Sequence, residues 1–424
     1  MHRRTFALLA TVLAVAGCTA AGPAGGPYAA ATASPAPLAA PGAPPSGPVA
    51  TTAVALLIPL SGPRAEIAQA LQRAAELAVS YPGSPRLDVR DTAGTPQGAA
   101  QAAQAAIAAG DGLILGPLTA GETAAVAPVA GAAGVPVLAF TNDSTQARPG
   151  VWTLGITPRQ QVARLVVAAR GQGKNQFAAL LPDNDFGRAM GTALQEAATD
   201  AGLPLPRIQS HASGMSAITA AMRDLADYGS RGGALDAKIR AARASDDADG
   251  RKQAAELQRQ RDSLPPPPFD ALLLADTGEP LAEIASLFSY VGISASSVRV
   301  LGPALWADPA SRSGELPGAW YAAPDPAARA AFNDAYQAKF GTPPRAIADL
   351  AYDAASIARV VAQSGGFTIQ NMTQPGGFAG TDGLLALQPD GRVRRALAVF
   401  EIKGGGAPAQ LVEPAPQAFT APGA

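Results

Sequence analysis

Cysteine and histidine are almost absent from this 424-residue sequence, which has one cysteine, Cys18, and two histidines, His2 and His211. A single cysteine excludes an internal disulfide and any site built on several cysteine ligands. A serine, histidine and aspartate triad would depend on His211, and no GxSxG motif lies beside it. We therefore expect His211 to be an ordinary surface histidine.

The absence of known binding motifs and of a basic stripe limits which cofactors and partners the protein can have. The sequence contains no Walker loop, no GxGxxG after a strand and no HExxH, so we predict neither a cofactor nor a bound metal. The net charge is −1 and aromatic residues make up 5% of the chain, which gives no basic stripe for nucleic acid. A pair of carboxylates could still act as an acid and a base. No spacing favours such a pair, and we predict a protein that is not an enzyme.

The first residues have the layout of an export signal. Residues 1–17 combine a basic start, a short apolar core and small residues before Cys18. The apolar core is too short to span a bilayer. The sequence Val-Ala-Gly-Cys at 15–18 resembles a bacterial lipobox, and this resemblance implies cleavage before Cys18 and lipidation of that residue. Thr19 in the next position resembles lipoproteins of the outer membrane, so we predict a periplasmic protein anchored there by lipid alone.

Residues 18–52 consist mainly of alanine, proline, glycine and serine, a composition that cannot bury a core. We interpret this segment as a tether. At about 3.1 Å per residue, an extended chain of this length reaches on the order of 100 Å.

From residue 53 onwards, strand and helix patterns alternate. Residues 111–143 illustrate the unit: a buried strand at 113–115, a helix at 120–133 and a second buried strand at 135–140. Strands buried on both faces are typical of a parallel sheet covered by helices, and ligands lie at the loops that follow such strands. The chain beyond the tether is too long for one sheet and suits two lobes. A hairpin is predicted around Asp390 and Gly391.

Residues 229–268 interrupt this alternation. The segment is densely charged, poor in large apolar side chains, and ends in four prolines. It is typical of an inserted arm of one or two helices. Two interpretations stay open: a solvated, partly disordered excursion, or an arm that binds a partner.

Several runs in a fixed order resemble type I periplasmic binding proteins of the leucine-binding kind: ALLIPLSGP, LILGPLTAGET, GVPVLAFTND, ALLPDNDFG and AYDAA. The resemblance implies two doubly wound α/β lobes, a ligand cleft between them and three hinge crossovers. The first lobe would comprise residues 53–160 and 323–368. The second would comprise 161–322 and 369–412, with a tail at 413–424.

The resemblance also implies a ligand cleft. The candidate residues are Ser61, Thr119, Ala120, Gly121, Thr141, Asn142 and Asp143 in the first lobe, and Asp183, Phe186, Asp276 and Trp306 in the second. In the family the positions that correspond to 119–121 and 141–143 hold a carboxylate, which Asp143 would repel. In the family an aromatic hydroxyl is common where this sequence has Phe186, and an acid that pairs with the ammonium is common near Ala304, but neither group is present here. An unpaired buried charge costs several kcal/mol, so we do not expect a standard amino-acid site. The alternative for Thr, Asn and Asp in these loops is helix capping.

Two functions remain. The tether, the charged insert and the run LGPALWADP resemble penicillin-binding-protein activators, which implies contact with a peptidoglycan synthase. The alternative is a lipoprotein that delivers an amino acid or another small polar solute to the permease of an ABC importer.

Overall fold

The computed structural model describes residues 36–37, 53–245, 247–312 and 316–419. The predicted signal segment, Cys18 and nearly all of the predicted tether lie outside the described residues, as does the end of the tail. One short strand falls within the tether, β1 (Ala36–Pro37). In the part of the chain that is described, no helix has the length and apolarity needed to cross a membrane.

The first lobe is a five-stranded parallel sheet in the order β3-β2-β4-β5-β6. The strand Ala53–Ile58, second in this order, is buried along its whole length because its sequence, AVALLI, is apolar on both faces. Helices cover both sides, and α1 packs along α13. The elements are β2 Ala53–Ile58, β3 Arg86–Asp91, β4 Ile114–Leu115, β5 Val137–Ala139 and β6 Val151–Thr153, with α1 Ala65–Ala78, α2 Pro96–Ala108, α3 Ala120–Ala133, α12 Ala330–Phe340, α13 Ala348–Gln363 and α14 Ile369–Met372.

The second lobe has a seven-stranded sheet in the order β16-β15-β11-β10-β9-β7-β8. At one edge, β15 pairs antiparallel with β11, and β16 pairs antiparallel with β15. The other neighbouring strands pair in parallel. The elements are β7 Phe177–Pro182, β8 Arg207–His211, β9 Ala271–Leu274, β10 Arg299–Gly302, β11 Trp320–Ala323, β15 Ala398–Glu401 and β16 Gln410–Glu413, with α4 Pro158–Gly171, α5 Asp185–Asp200, α6 Met215–Leu225, α10 Gly278–Ser286 and α11 Phe288–Val291. The predicted fold of two doubly wound lobes is confirmed.

A small sheet forms from β1, β12 (Phe378–Gly380), β13 (Gly383–Leu387) and β14 (Val393–Arg395). Its last two strands are the predicted hairpin, which is confirmed as an antiparallel pair. Phe378 and Leu385 are fully buried in the core of the first lobe. The sequence prediction assigned all of 369–412 to the second lobe, whereas the packing divides this segment after residue 393. The apolar face of the hairpin is the cause, because it covers the first core rather than the second.

The chain crosses between the two cores three times. It leaves the first core after Leu154, returns between Ala323 and Phe332, and crosses again between Val393 and Leu397. The first and third crossovers run side by side: Gln160 Nε2 donates to the carbonyl of Val393 at 2.6 Å, and Arg164 Nε donates to that of Leu397 at 2.8 Å. The three crossovers are the covalent connections between the lobes.

The charged insert folds into helices. They are α7 Tyr228–Arg231, α8 Gly233–Ala244 and α9 Ala248–Asp262. The last two pack against each other as a hairpin, and a Cβ added at Gly250 would lie only 2.6 Å from the carbonyl oxygen of Ala242. Glycine therefore permits the close approach of the two helices. The two long helices agree with the predicted arm of one or two helices, and α7 adds a single turn of four residues before them.

Candidate functional site

An open depression of about 390 Å³ lies at the carboxyl edge of the second sheet. The loops after β7, β8 and β9 and the turn after β10 form its walls, which is where parallel sheets bind ligands. The lining residues are Pro182, Asp183, Asn184, Phe186, His211, Ala212, Ser213, Ala275, Asp276, Thr277, Pro280 and Leu305.

His211 is buried in the wall of this depression, so the expectation of a surface histidine is wrong. Only 2% of its side chain is exposed, and its Nε2 lies 3.2 Å from Oδ2 of Asp276, whose side chain is also buried. His211 ends β8 and Asp276 follows β9, the strands on either side of β7, which brings the two residues together although they are 65 positions apart. The sequence did contain a signal for this position in the site. His211 ends a strand directly before a polar loop, and Asp183 and Asp276 likewise follow strands.

The imidazole of His211 has an oxygen beside each nitrogen. Its Nδ1 lies 3.1 Å from the carbonyl oxygen of Ala212, and Nε2 faces Asp276. A protonated ring can donate to both oxygens, whereas a neutral ring can donate to one only. Burial lowers the pKa of His211, but the hydrogen bonds to Asp276 and Ala212 outweigh burial and raise it above its ordinary value. Because both nitrogens face acceptors, neither is left to activate Ser213 as a nucleophile.

Trp306 shapes the depression from behind rather than lining it. Its side chain is fully buried in the second core, and its Nε1 donates to the backbone carbonyl of Asp276 at 3.0 Å. The exposed neighbour Leu305 reaches the depression instead. Gly302 is required beneath the ring, because a Cβ there would lie 2.2 Å from it. Trp306 thus holds the loop that carries Asp276.

Asp183 and Phe186 line the same depression. The carboxylate of Asp183 is largely exposed and accepts from Arg188 Nη1 at 3.0 Å. The side chain of Asn184 caps α5 by accepting from the amide of Gly187 at 2.8 Å. Three of the four candidates in the second lobe are therefore brought to one place.

The candidates in the first lobe have local roles. Thr119 and Glu122 form a capping box at the start of α3, which also begins with Ala120 and Gly121. Thr141 accepts from the amide of Asp143 at 3.1 Å, and Asn142 is exposed. The amide of Ser61 donates to Asp91 at 3.3 Å.

The side chain of Asp143 also accepts hydrogen bonds from residues of its own loop. It accepts from the amide of Thr145 at 3.0 Å and from the Thr145 hydroxyl at 2.7 Å. Partial burial would raise the pKa of Asp143, but the bonds from Thr145 and Gln146 hold it below its ordinary value. Asp143 is therefore charged at neutral pH, and the polar residues of this loop satisfy one another.

The base of the helical insert is built on two tyrosines. Tyr228 is fully buried, and its ring centroid lies 4.5 Å from that of Tyr290. Both hydroxyls donate to Asp236, at 3.1 and 3.0 Å. The guanidinium of Arg223 lies 4.4 Å from the centroid of Tyr228, within the range of a cation–π contact. These contacts fix α8 against the second lobe.

Two lobes joined by three crossovers, with a polar depression at the edge of one sheet, define a two-lobe binding protein. Among the described residues, no group of three histidine, cysteine or acidic side chains is placed to hold a metal ion. A family model described as "Periplasmic binding protein" matches residues 51–407. The chain belongs to the periplasmic binding protein family, whose members bind substrates or regulate rather than catalyse, and which implies an extracytoplasmic location.

Solved structures share this fold at low sequence identity. A protein from Rhodospirillum rubrum described as a branched-chain amino acid ABC transporter is 17% identical with a TM-score of 0.62, over 85% of this chain and 100% of that one. A substrate-binding protein of an ABC transporter from Sphaerobacter thermophilus is 15% identical with a TM-score of 0.55, over 85% and 96%. LpoA from Haemophilus influenzae is 17% identical with a TM-score of 0.56, over 86% of this chain and 60% of LpoA. A search of curated protein sequences gives no match.

Proposed function

We propose that this protein is a non-catalytic lipoprotein, anchored in the outer membrane through Cys18, that activates a peptidoglycan synthase of the penicillin-binding-protein type. The observation that carries this proposal is the helical hairpin of α8 and α9. A segment with this composition would remain disordered if it were only a solvated excursion. Instead, its base is packed on Tyr228 and Tyr290, and it presents a fixed polar surface.

The exposed surface of the hairpin is suited to a polar protein interface. Lys238 and Arg240 on α8 and Lys252 on α9 are exposed, and the buried residues Ile239 and Ala254 face the partner helix or the lobe. Charged groups at the rim of an interface raise the association rate and fix orientation. The tether supplies the reach that a protein anchored in one membrane needs to meet a synthase in the other.

Reversing charge on the hairpin should weaken synthase binding. In the full-length chain we expect Lys238→Glu with Lys252→Glu to raise the Kd for a purified bifunctional penicillin-binding protein about tenfold, because two rim contacts become repulsive. The measurement is binding of the synthase to immobilised protein at two salt concentrations.

A matched control carries the same change in net charge elsewhere. Arg170→Glu with Arg207→Glu alters two exposed residues of the second lobe outside the hairpin and should leave the Kd unchanged. Equal Kd values for the two double variants would mean that the hairpin is not the contact surface. No binding of the synthase by the unaltered protein would contradict the activator function itself.

A second function is favoured by a different observation, the depression that contains His211 and Asp276. An extracytoplasmic receptor that passes a small polar solute to an ABC permease needs such a site. The buried carboxylate of Asp276, held in place by His211, supplies an acceptor, and the loops around it add the hydroxyls of Ser213 and Thr277. Specific ligand sites combine a concave surface with a few placed polar groups in this way.

A thermal-shift screen with amino acids, small amides and sugars tests the receptor function. A true ligand at about one hundred times its Kd adds roughly 2.7 kcal/mol and should raise the melting temperature by several degrees. Ser213→Trp should abolish the shift because the indole fills the depression from an exposed position. Ser216→Trp, on the exposed surface of α6, is the control and should keep it. A screen in which no compound shifts the unaltered protein would contradict the receptor function.

A further inference from the structure

The depression beside His211 and Asp276 offers a ligand negative charge and hydrogen-bond acceptors. Among the described residues that line it, Asp183 and Asp276 are acids, and none is a lysine or an arginine. His211 is the one lining side chain that can carry a positive charge, and both of its ring nitrogens already face oxygens of the protein. A ligand carboxylate would therefore find no available cation among these lining residues.

Backbone amides close to the depression are also used within the protein. The amide of Asp183 donates to the carbonyl of His211 at 2.9 Å. The amide of Ala304, next to Leu305, donates to Oε1 of Gln161 at 2.7 Å. These amides are not available to a ligand carboxylate, which needs several donors to replace the water that it loses on binding.

Two helices begin at the depression, and both carry an acid in the first turn. The acids are Asp185 on α5 and Glu279 on α10. A helix amino terminus attracts anions, and these two carboxylates already occupy the favoured position. The cation of the same turn of α5 is Arg188, which bonds to Asp183 at 3.0 Å and to Asp185 at 2.6 Å. The charges around the depression therefore favour a positively charged ligand.

Much of the remaining wall is apolar. Phe186 and Leu305 line the depression, and Leu305 is 54% exposed although it has a large aliphatic side chain. A ligand with an apolar body would cover Leu305 and remove this surface from water. Ser213 and Thr277 add hydroxyls, which can accept hydrogen bonds from a ligand.

We propose that the depression binds a small organic cation, a primary amine with an apolar body and no carboxylate. Its ammonium lies between Asp183 and Asp276 and donates to their carboxylates, while its body packs on Phe186 and Leu305. Hydrogen bonds between charged groups are about twice as strong as those between neutral groups. The inference rests on the receptor function proposed above and names the class of solute that the receptor takes.

Two matched sets of compounds test the class of ligand. Isopentylamine, leucine and isocaproate share one aliphatic body, whereas phenethylamine, phenylalanine and hydrocinnamate share one aromatic body. Each set thus contains an amine, the corresponding amino acid and the corresponding acid. We expect at least one amine to bind the full-length protein with a Kd about tenfold or more below those of the other two members of its set. Isothermal titration calorimetry at neutral pH measures the Kd values.

Asp183→Asn tests where the ammonium lies. Asp183 is exposed, so the change leaves the buried pair of His211 and Asp276 intact. We expect the Kd for the amine to rise about fivefold, because one of the two carboxylates is lost. Asp185→Asn is the matched control, since Asp185 is also exposed and bonds to the same Arg188 but does not line the depression. It should change the Kd by less than about twofold, because water and salt screen an exposed charge.

The outcomes separate the class of ligand from the receptor function. If an amino acid, an acid or a neutral compound of the thermal-shift screen binds at least as tightly as the amines, the inference is wrong and the receptor function stands. If none of these compounds binds and the screen is also flat, the inference and the receptor function both fail. An equal Kd of the amine for Asp183→Asn and Asp185→Asn would overturn the proposed position of the ammonium.

Discussion

Trp306→Ala is expected to lower the free energy of unfolding by about 3–5 kcal/mol, the range for removing a large aromatic side chain from a core. The indole is fully buried in the second core. Its removal leaves a cavity beneath the loop of Asp276 and deprives the carbonyl of Asp276 of its donor. Urea unfolding followed by circular dichroism measures the loss, and any ligand-induced thermal shift should disappear with it because the loop is no longer held.

Two related substitutions separate packing from hydrogen bonding at this position. Trp306→Phe retains an aromatic ring but leaves the carbonyl of Asp276 unpaired, so it should cost about 1–3 kcal/mol. Leu305→Ala changes the adjacent residue, which is 54% exposed, and should cost within about 0.5 kcal/mol. If Trp306→Ala were no more destabilising than Leu305→Ala, the indole would not support the loop as described.

Arg329→Met should be comparably destabilising at pH 7, by about 3–5 kcal/mol, because it removes the cation from two buried carboxyl groups. Asp349 and Asp382 are both nearly inaccessible, and Arg329 contacts each of them. Burial would raise the pKa of Asp382, but the hydrogen bonds from Arg329 outweigh it and hold this pKa below its ordinary value. Without Arg329, the charged form of Asp382 loses its partner.

The sign of the pH dependence follows from this change. In the unaltered protein the low pKa of Asp382 gives stability that is present above the unfolded value of 3.8 and lost as pH falls through the lower folded value. In Arg329→Met the pKa of Asp382 rises above 3.8, so the variant gains stability as pH falls towards 4. The difference between the two proteins should therefore be smaller at pH 5 than at pH 7.

An exposed pair provides the comparison. Arg345 bonds to Glu66 at 2.7 Å, with side chains 58% and 82% exposed. Arg345→Met should cost less than about 1 kcal/mol, since exposed ion pairs contribute little. Denaturant titrations at pH 5 and pH 7 measure the free energy of unfolding that each variant loses relative to the unaltered protein. A loss at Arg329→Met no larger than at Arg345→Met would mean that the buried cluster tolerates the missing cation.

The alternation of strands and helices was predictable because each element is determined by local sequence. The strand at 53–58 is apolar on both faces, and α1 repeats apolar residues at helical spacing. The helices of the charged insert and the turn at Asp390 and Gly391 also follow from local composition. The order of these elements was enough to indicate the family, which the family match confirms.

The candidate site was predicted only in part. Asp183, Phe186 and Asp276 line the depression as expected of residues that follow strands of one sheet. His211 was expected at the surface because no GxSxG motif lies beside it, although its position at the end of a strand before a polar loop was a signal for the site. Trp306 was expected in the cleft but packs behind it, since nothing in the local sequence indicates that Gly302 leaves room for its ring.

The sequence by itself determined the alternation of strands and helices, the charged insert and the two-lobe fold, because hydrophobic period and turn residues act over a few neighbouring positions. Only the tertiary structure decided which distant groups meet: His211 with Asp276, the hairpin at 383–395 with the first core, and Arg329 with Asp349 and Asp382. The reason is physical. Burial of a charged side chain is decided by the partner that compensates it, and that partner lies tens to hundreds of residues away in the chain.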